Sequence, residues 1–191
     1  MKKQILTSTL SIACVFAAPA QAQSWNFSYT GFQFVYSDNG DTQLSEFRPN
    51  LNVSGNFSAQ DLNHDGVISH DELTSLVVQG YDYKACEAGS NTWWHCGVDA
   101  NFHFQIDNRN LTMSVGQGGS DPEGWVGGWQ GFATGQGYYN YSYRPGQSTS
   151  ENWNITANTA HWVAAVPEAD TWAMLLAGLG VLGFIARRRR V

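Results

Sequence analysis

Residues 24–37 read SWNFSYTGFQFVYS. Trp25, Phe27 and Tyr29 alternate with polar residues, so they share one face of an extended strand. After Gly31 the parity changes, and Phe32, Phe34 and Tyr36 carry the apolar face onward. A slip of one residue at a glycine is what a β-bulge leaves in a sequence. Asp38-Asn39-Gly40-Asp41 then reads as a turn.

The same pattern recurs downstream. In NFHFQI (101–106), Phe102, Phe104 and Ile106 lie on one face; Asp107-Asn108-Arg109-Asn110 turns the chain, and Leu111, Met113 and Val115 return as the second arm of a hairpin. Residues 116–137 hold nine glycines interleaved with Trp125, Trp129 and Phe132, followed by the alternation Tyr139, Tyr141, Tyr143. WNIT (153–156) and HWVAAV (161–166) supply closing strands. No long helical periodicity precedes residue 171. The fold expected is mainly β, an antiparallel sandwich or partly closed barrel, with one EF-hand-like loop and a single C-terminal transmembrane helix.

The ends of the chain differ from its middle. Lys2 and Lys3, the apolar stretch from Ile5 to Ala18 and Ala20-Gln21-Ala22 make a secretory signal peptide over 1–22, with the mature chain starting near Gln23. Lipoprotein processing at Cys14 is the weaker alternative, because Ser11 stands where a lipobox has an aliphatic residue. Residues 23–166 carry fourteen acidic and four basic side chains, a net charge of −10 against −6 for the whole chain. An acidic exported domain repels phosphate backbones, which excludes nucleic acid and favours cations as partners.

Two cysteines remain after signal cleavage, Cys86 and Cys96. In an exported protein they predict a disulfide closing the short loop EAGSNTWWH, worth about 2–3 kcal/mol. Zinc is disfavoured, since His95 beside Cys96 leaves the ion short of a fourth ligand with suitable local spacing. Six Asn-x-Ser/Thr sequons occur, and they read as products of an Asn-, Ser- and Thr-rich composition.

Residues 61–72, DLNHDGVISHDE, match D-x-[DN]-x-[DN]-G-x5-E without a gap. Ca²⁺ takes six to eight hard oxygen ligands, and a tight loop turns alternate positions inward. Asp61, Asn63 and Asp65 would offer side-chain oxygens, Val67 its carbonyl, Ser69 a direct or water-mediated contact, and Glu72 both carboxylate oxygens. Gly66 permits the turn, and Ile68 fills the aliphatic eighth position. No amphipathic helix precedes the loop, since Gly55 and a polar run interrupt it. After the loop, Leu73, Leu76 and Val77 have helical spacing that Gly80 would end. A lone extracellular site of this kind sits at the weak end, about 10⁻⁴–10⁻³ M.

The segment Thr171 to Ala186 is a 16-residue apolar run with Trp172 at one boundary and Arg187–Arg190 at the other. Its length is just under a comfortable membrane span. Gly178, Gly180 and Gly183 disfavour a soluble helix but suit a membrane one, and the arginines would hold the C-terminus on the cytoplasmic side. With Val166-Pro167-Glu168 ahead of it and an AGLG core, residues 166–191 resemble the PEP-CTERM sorting signal. The resemblance implies export across the inner membrane of a Gram-negative bacterium and at least transient anchoring by helix 171–186 with basic tail 187–190. It also implies recognition at Val166, Pro167 and Glu168 by an exosortase, then residence at the cell surface or in the extracellular matrix. Ala169 departs from the family pattern, which has a second proline there; without it Glu168 lacks the push toward extended backbone. The region 23–165 also resembles uncharacterised members of the same group, through its FSYTGF start, acidic loop and SDPEGW stretch; no activity comes with that likeness.

No G-x-S-x-G, H-E-x-x-H or P-loop occurs, and His95, Asp99, His103 and Asp107 read as surface residues around a hairpin. The expectation is a non-enzymatic exported surface or exopolysaccharide-matrix protein with one structural Ca²⁺. Its first alternative is a Ca²⁺-dependent carbohydrate-binding module using Trp93, Trp94, Trp125 and Trp129 to stack on sugars, rings that would otherwise belong to the core. A hydrolase with an unrecognised site is the second alternative.

Overall fold

The computed structural model describes residues 23–167 together with 176, 177 and 179. The signal segment 1–22, Glu168, most of the apolar helix expected over 171–186 and the basic tail 187–190 lie outside the described residues. Leu176, Ala177 and Leu179 are helical and exposed. Among the described residues no helix is long and apolar enough to cross a membrane.

The opening stretch forms β1 (Gln23–Asp38), which turns back through Asn39-Gly40 into β2 (Asp41–Ala59). Both turn residues have positive φ, 50° and 87°, the backbone of a two-residue hairpin turn whose twist matches the flanking strands. The β1–β2 register shifts between Thr30 and Phe32, with Gly31 at φ 82°. The sequence parity change is therefore a real bulge: Trp25, Phe27 and Tyr29 before it and Phe32 and Phe34 after it are all buried.

The remaining elements are β3 (Val67–Ser69), β4 (Leu73–Val78), β5 (Tyr81–Asp82), α1 (Tyr83–Cys86), β6 (Trp94–Val98), β7 (His103–Gln105) and β8 (Asn110–Thr112). They continue as β9 (Ser114–Ser120), β10 (Gly127–Ala133), β11 (Gly137–Arg144), β12 (Gln147–Asn154) and β13 (Ala160–Ala165). Ten strands make one antiparallel sheet in the order β5-β4-β2-β1-β12-β11-β10-β9-β6, with β13 also paired to β1. β13 takes the Trp25–Thr30 half of β1 and β12 the Gln33–Asp38 half, so the bulge at Gly31 marks where one neighbour gives way to the other. The sheet curls into a half-barrel. Its two ends are bridged by α1, which follows β5 directly and packs on both β4 and β6. The Asp82 carboxylate caps α1 by accepting from the Lys84 and Ala85 N–H groups. The Cys86–Cys96 disulfide, with Cα atoms 5.7 Å apart, then fastens α1 to β6.

A second sheet, β3-β7-β8, plugs one end of the curl. Phe104 on β7 meets Trp25 and Phe57 with ring centroids 5.1 and 5.0 Å away, and Trp25 stacks on Phe57 at 5.0 Å. Such contacts add about 0.5–1.5 kcal/mol each beyond simple burial. Deeper in, Tyr29 and Phe132 meet at 5.0 Å, and burial pushes the Tyr29 hydroxyl up to about 12. The hairpin read from 101–115 is present as β7–β8, but Met113 and Val115 leave it to join the large sheet's core.

The helix expected after the loop is instead β4. Leu73 and Leu76 are three apart, as on a helix, yet both are buried in a strand. The reason is a bulge: Ser75 pairs with Ser58 and Leu73 with Ala59, leaving Thr74 as the extra residue. One inserted residue turns a spacing of two into three and imitates a helical period.

Candidate functional site

The acidic loop enters from β2 and leaves through a short 3-10 turn (His70–Glu72) into β4, so neither flank is an α-helix. Its three-residue strand, β3, pairs with β7 and thereby ties the loop to the plug. Ile68 is fully buried and stands opposite Phe104 of β7. The carboxylates face the loop's own backbone. Asp61 accepts from the Asp65 and Gly66 N–H groups at 3.2 and 3.0 Å, and Asp65 accepts from Val67 N–H at 2.8 Å. Asn63 accepts from Asp65 N–H and donates to the Asp65 carboxylate. Glu72, itself buried, reaches across to Leu62 N–H at 2.9 Å with one oxygen and to Ser69 N–H and Oγ at 2.9 and 3.0 Å with the other.

Burial would raise the Glu72 carboxyl, but hydrogen bonds from Ser69, Leu62 and Asn63 outweigh it and hold Glu72 below the ordinary carboxylate range. It is therefore ionised at neutral pH. The donor set is hard oxygen throughout, which fits a calcium-sized cation by chemistry. By geometry, no three His, Cys, Asp or Glu side chains among the described residues converge as a metal group. The loop is shaped by its own N–H donors, and each carboxylate keeps unused lone pairs.

A charged cluster that the sequence did not announce lies at the β6 edge. Glu87 takes Lys84 Nζ at 2.9 Å, His70 Nε2 at 3.0 Å and the Val98 N–H at 3.2 Å. Its role is local: it satisfies an edge N–H of the sheet and joins α1 to β6. His95 and His103 lie in different sheets, on β6 and β7.

The four tryptophans proposed for stacking are all exposed, most of all Trp125 at 67 %. Trp93 precedes β6 and Trp94 opens it, and the N–H groups of both donate to Asn91 Oδ1 at 2.9 and 3.0 Å. Trp129 on β10 lies with its ring 6.1 Å from that of His95 and near-parallel to it. Inside the mouth of the half-barrel, a cavity of about 300 Å³ is lined by Tyr81, Tyr83, Tyr138, Trp153 and Gln130 among others. Burial, with neighbouring Tyr138, Tyr139 and Tyr81, pushes the Tyr83 hydroxyl up to about 12.

At the other end of the chain, the Val166 N–H donates to Ser24 O at 2.8 Å, one residue past β13. Val166 and Pro167 are exposed. The PEP-CTERM protein-sorting motif matches residues 165–190, so the chain carries this sorting signal immediately after its last strand. Such a signal marks an exported protein for an exosortase. No curated protein and no solved structure matches the chain.

Proposed function

We propose that the chain is an exported, non-enzymatic surface or exopolysaccharide-matrix protein, sorted by an exosortase and carrying one structural Ca²⁺ at residues 61–72. The observation behind it is the sorting motif at 165–190 joined without a spacer to a disulfide-containing β domain. A disulfide suits an oxidising compartment outside the cytoplasm. Val166 and Pro167 are exposed beside the membrane-directed segment, where a membrane enzyme could reach them. Asp61, Asn63, Asp65, Val67, Ser69 and Glu72 would hold the ion, and its charge would offset the loop's carboxylates.

Pulse-chase of the wild type beside Pro167→Ala and Ala169→Pro in a host with its exosortase tests the sorting. The wild type should yield a shortened form, Pro167→Ala should not, and Ala169→Pro should process at least as fast. A wild type that stays full length reduces the tail to a plain anchor. Calorimetric titration with Ca²⁺ tests the ion. Absence of heat and of any thermal shift at several millimolar removes the calcium site without touching the sorting.

A further inference from the structure

The register of the large sheet places one row of side chains side by side across four strands. His95 pairs with Gly118, Gly118 with Trp129, and Trp129 with Tyr141. Directly opposite residues in an antiparallel pair point to the same face. This is the face away from Phe132 and Val115, which fill the core from neighbouring positions. The rows on either side repeat the arrangement: Tyr139 stands opposite Gly131, and Tyr143 opposite Gly127.

Three of these rings, Trp129, Tyr139 and Tyr143, lie against a glycine. A Cβ at Gly118 would meet the Trp129 ring at 2.9 Å, one at Gly127 the Tyr143 ring at 2.7 Å, and one at Gly131 the Tyr139 hydroxyl at 2.6 Å. Glycine thus acts as a floor. A larger residue would collide with the ring and, at Gly118 and Gly131, with a carbonyl of the neighbouring strand at 2.2 Å as well. Trp129, and Tyr141 opposite it, remain 39 % and 40 % exposed. Tyr141 and Tyr143 stack at 5.8 Å, and beyond the track lies a groove of about 450 Å³ between Trp125, Tyr143 and Pro145, where Arg144 is the one charged side chain of the lining.

The chemistry of this face differs from that of the molecule. The domain carries a net charge of −10, yet no position of this face within β6 and β9–β12 is Asp, Glu, Lys or Arg. Leu, Ile, Val and Met are absent there too, so it lacks the aliphatic groups of a protein or lipid contact. Its remaining side chains are hydroxyls and amides, including Ser148, Ser150 and Asn152 on β12. Flat aromatic faces meet the C–H faces of pyranose rings, and hydroxyls and amides bond sugar hydroxyls. A charge-free surface avoids stripping water from an ion. An anionic polymer would be repelled by the rest of the domain.

We infer that the outer face of β6 and β9–β11, centred on Trp129 and Tyr141, is a binding track for an uncharged polysaccharide. This goes beyond the sorting reading and is independent of the calcium loop. The loop lies beside Ala59, level with Gln23 of β1, whereas the track is level with Ser37 at the strand's other end.

Affinity electrophoresis of the full chain in gels carrying dextran, mixed-linkage glucan, galactomannan or xylan, with alginate as the anionic comparison, tests it. At least one neutral polymer should retard the chain. Trp129→Ala and Tyr141→Ala should each weaken retardation at least tenfold, and Trp129→Phe should retain most of it. Trp162→Ala, an exposed tryptophan on β13, should change nothing, and neither should EDTA. Retardation by alginate alone, none by any neutral polymer, or retardation that survives both alanine substitutions overturns the inference. So does loss with EDTA, or a dimer that Trp129→Ala dissolves with no glycan bound. Failure of export or processing shows in the pulse-chase and leaves this result unaffected.

Discussion

At the Gln23 end of β1, the aromatic side chains point inward: Trp25, Phe57 and Phe104 close the half-barrel, and the acidic loop is fastened to that plug by β3. At the Asp38 end Phe34 and Trp153 still face inward, but a second set, Trp129, Tyr139, Tyr141 and Tyr143, lies on the outer face with no core around it. Both regions use the same residue types in the same period-two pattern. The difference is what stands opposite. A ring facing another ring across the lumen is removed from water and stabilises the fold; a ring facing glycine on the open side keeps one face in water and contributes less to folding. Stability and recognition are thereby assigned to different ends of one sheet, and substitutions should separate them.

The largest effect belongs to the plug. Phe57 is fully buried and touches Trp25, Phe102 and Phe104, so Phe57→Ala should lower unfolding stability by about 3–5 kcal/mol in urea titration. A loss below about 1 kcal/mol would mean the small sheet does not seal the barrel. Next comes the closure at the opposite sheet edges. Reducing Cys86–Cys96, or replacing both residues by Ser, should remove about 2–3 kcal/mol. The same change should speed hydrogen exchange in β6 before it does so in β1, because β6 is the edge that the bridge secures.

Much of this plan was legible in the sequence, and the exceptions have a common cause. Gly31 announced its bulge because the parity of Phe and Tyr residues changed there, and Asn39-Gly40 announced its turn by residue type. The bulge at Thr74 had no such marker: it carries no glycine, and it converts Leu73 and Leu76 into a helical-looking pair. The aromatic track was hidden for a related reason. Tyr139, Tyr141 and Tyr143 visibly alternate, but whether they face core or solvent depends on which strand lies beside them, and that is a matter of register. The glycines of 116–131 gain their meaning only once each is seen opposite a ring. In the acidic loop the residue types were readable, whereas the pull of its own N–H groups on each carboxylate was not.

Acid should sharpen the comparison from the loop side. Hydrogen bonds hold Glu72 and Asp82 below the ordinary carboxylate range despite burial, and Lys84, His70 and Val98 do the same for Glu87. A carboxyl with a depressed folded pKa contributes stability that is complete above its unfolded value, about 4, and is lost as pH falls through the folded value. The urea midpoint should therefore be level near neutrality and drop below about pH 4. Glu72→Gln should flatten part of that drop while lowering the plateau. A variant with the wild-type profile would show that the loop's hydrogen bonds add nothing to folding.

The smallest effect is expected where binding is assigned. Trp129 rests on Gly118 and His95 with more than a third of its surface in water, so Trp129→Ala removes less buried area than Phe57→Ala and opens no closed cavity. Its cost should be about 1–2 kcal/mol, well below that of Phe57→Ala. The contrast with Phe57→Ala is the point. If Trp129→Ala costs as much as a core deletion, the outer rings hold β9 and β10 together, and the glycine floor exists to pack the sheet. If the cost stays well below that, folding alone does not account for four aromatic side chains on an uncharged face, and their use lies in what they touch outside the chain.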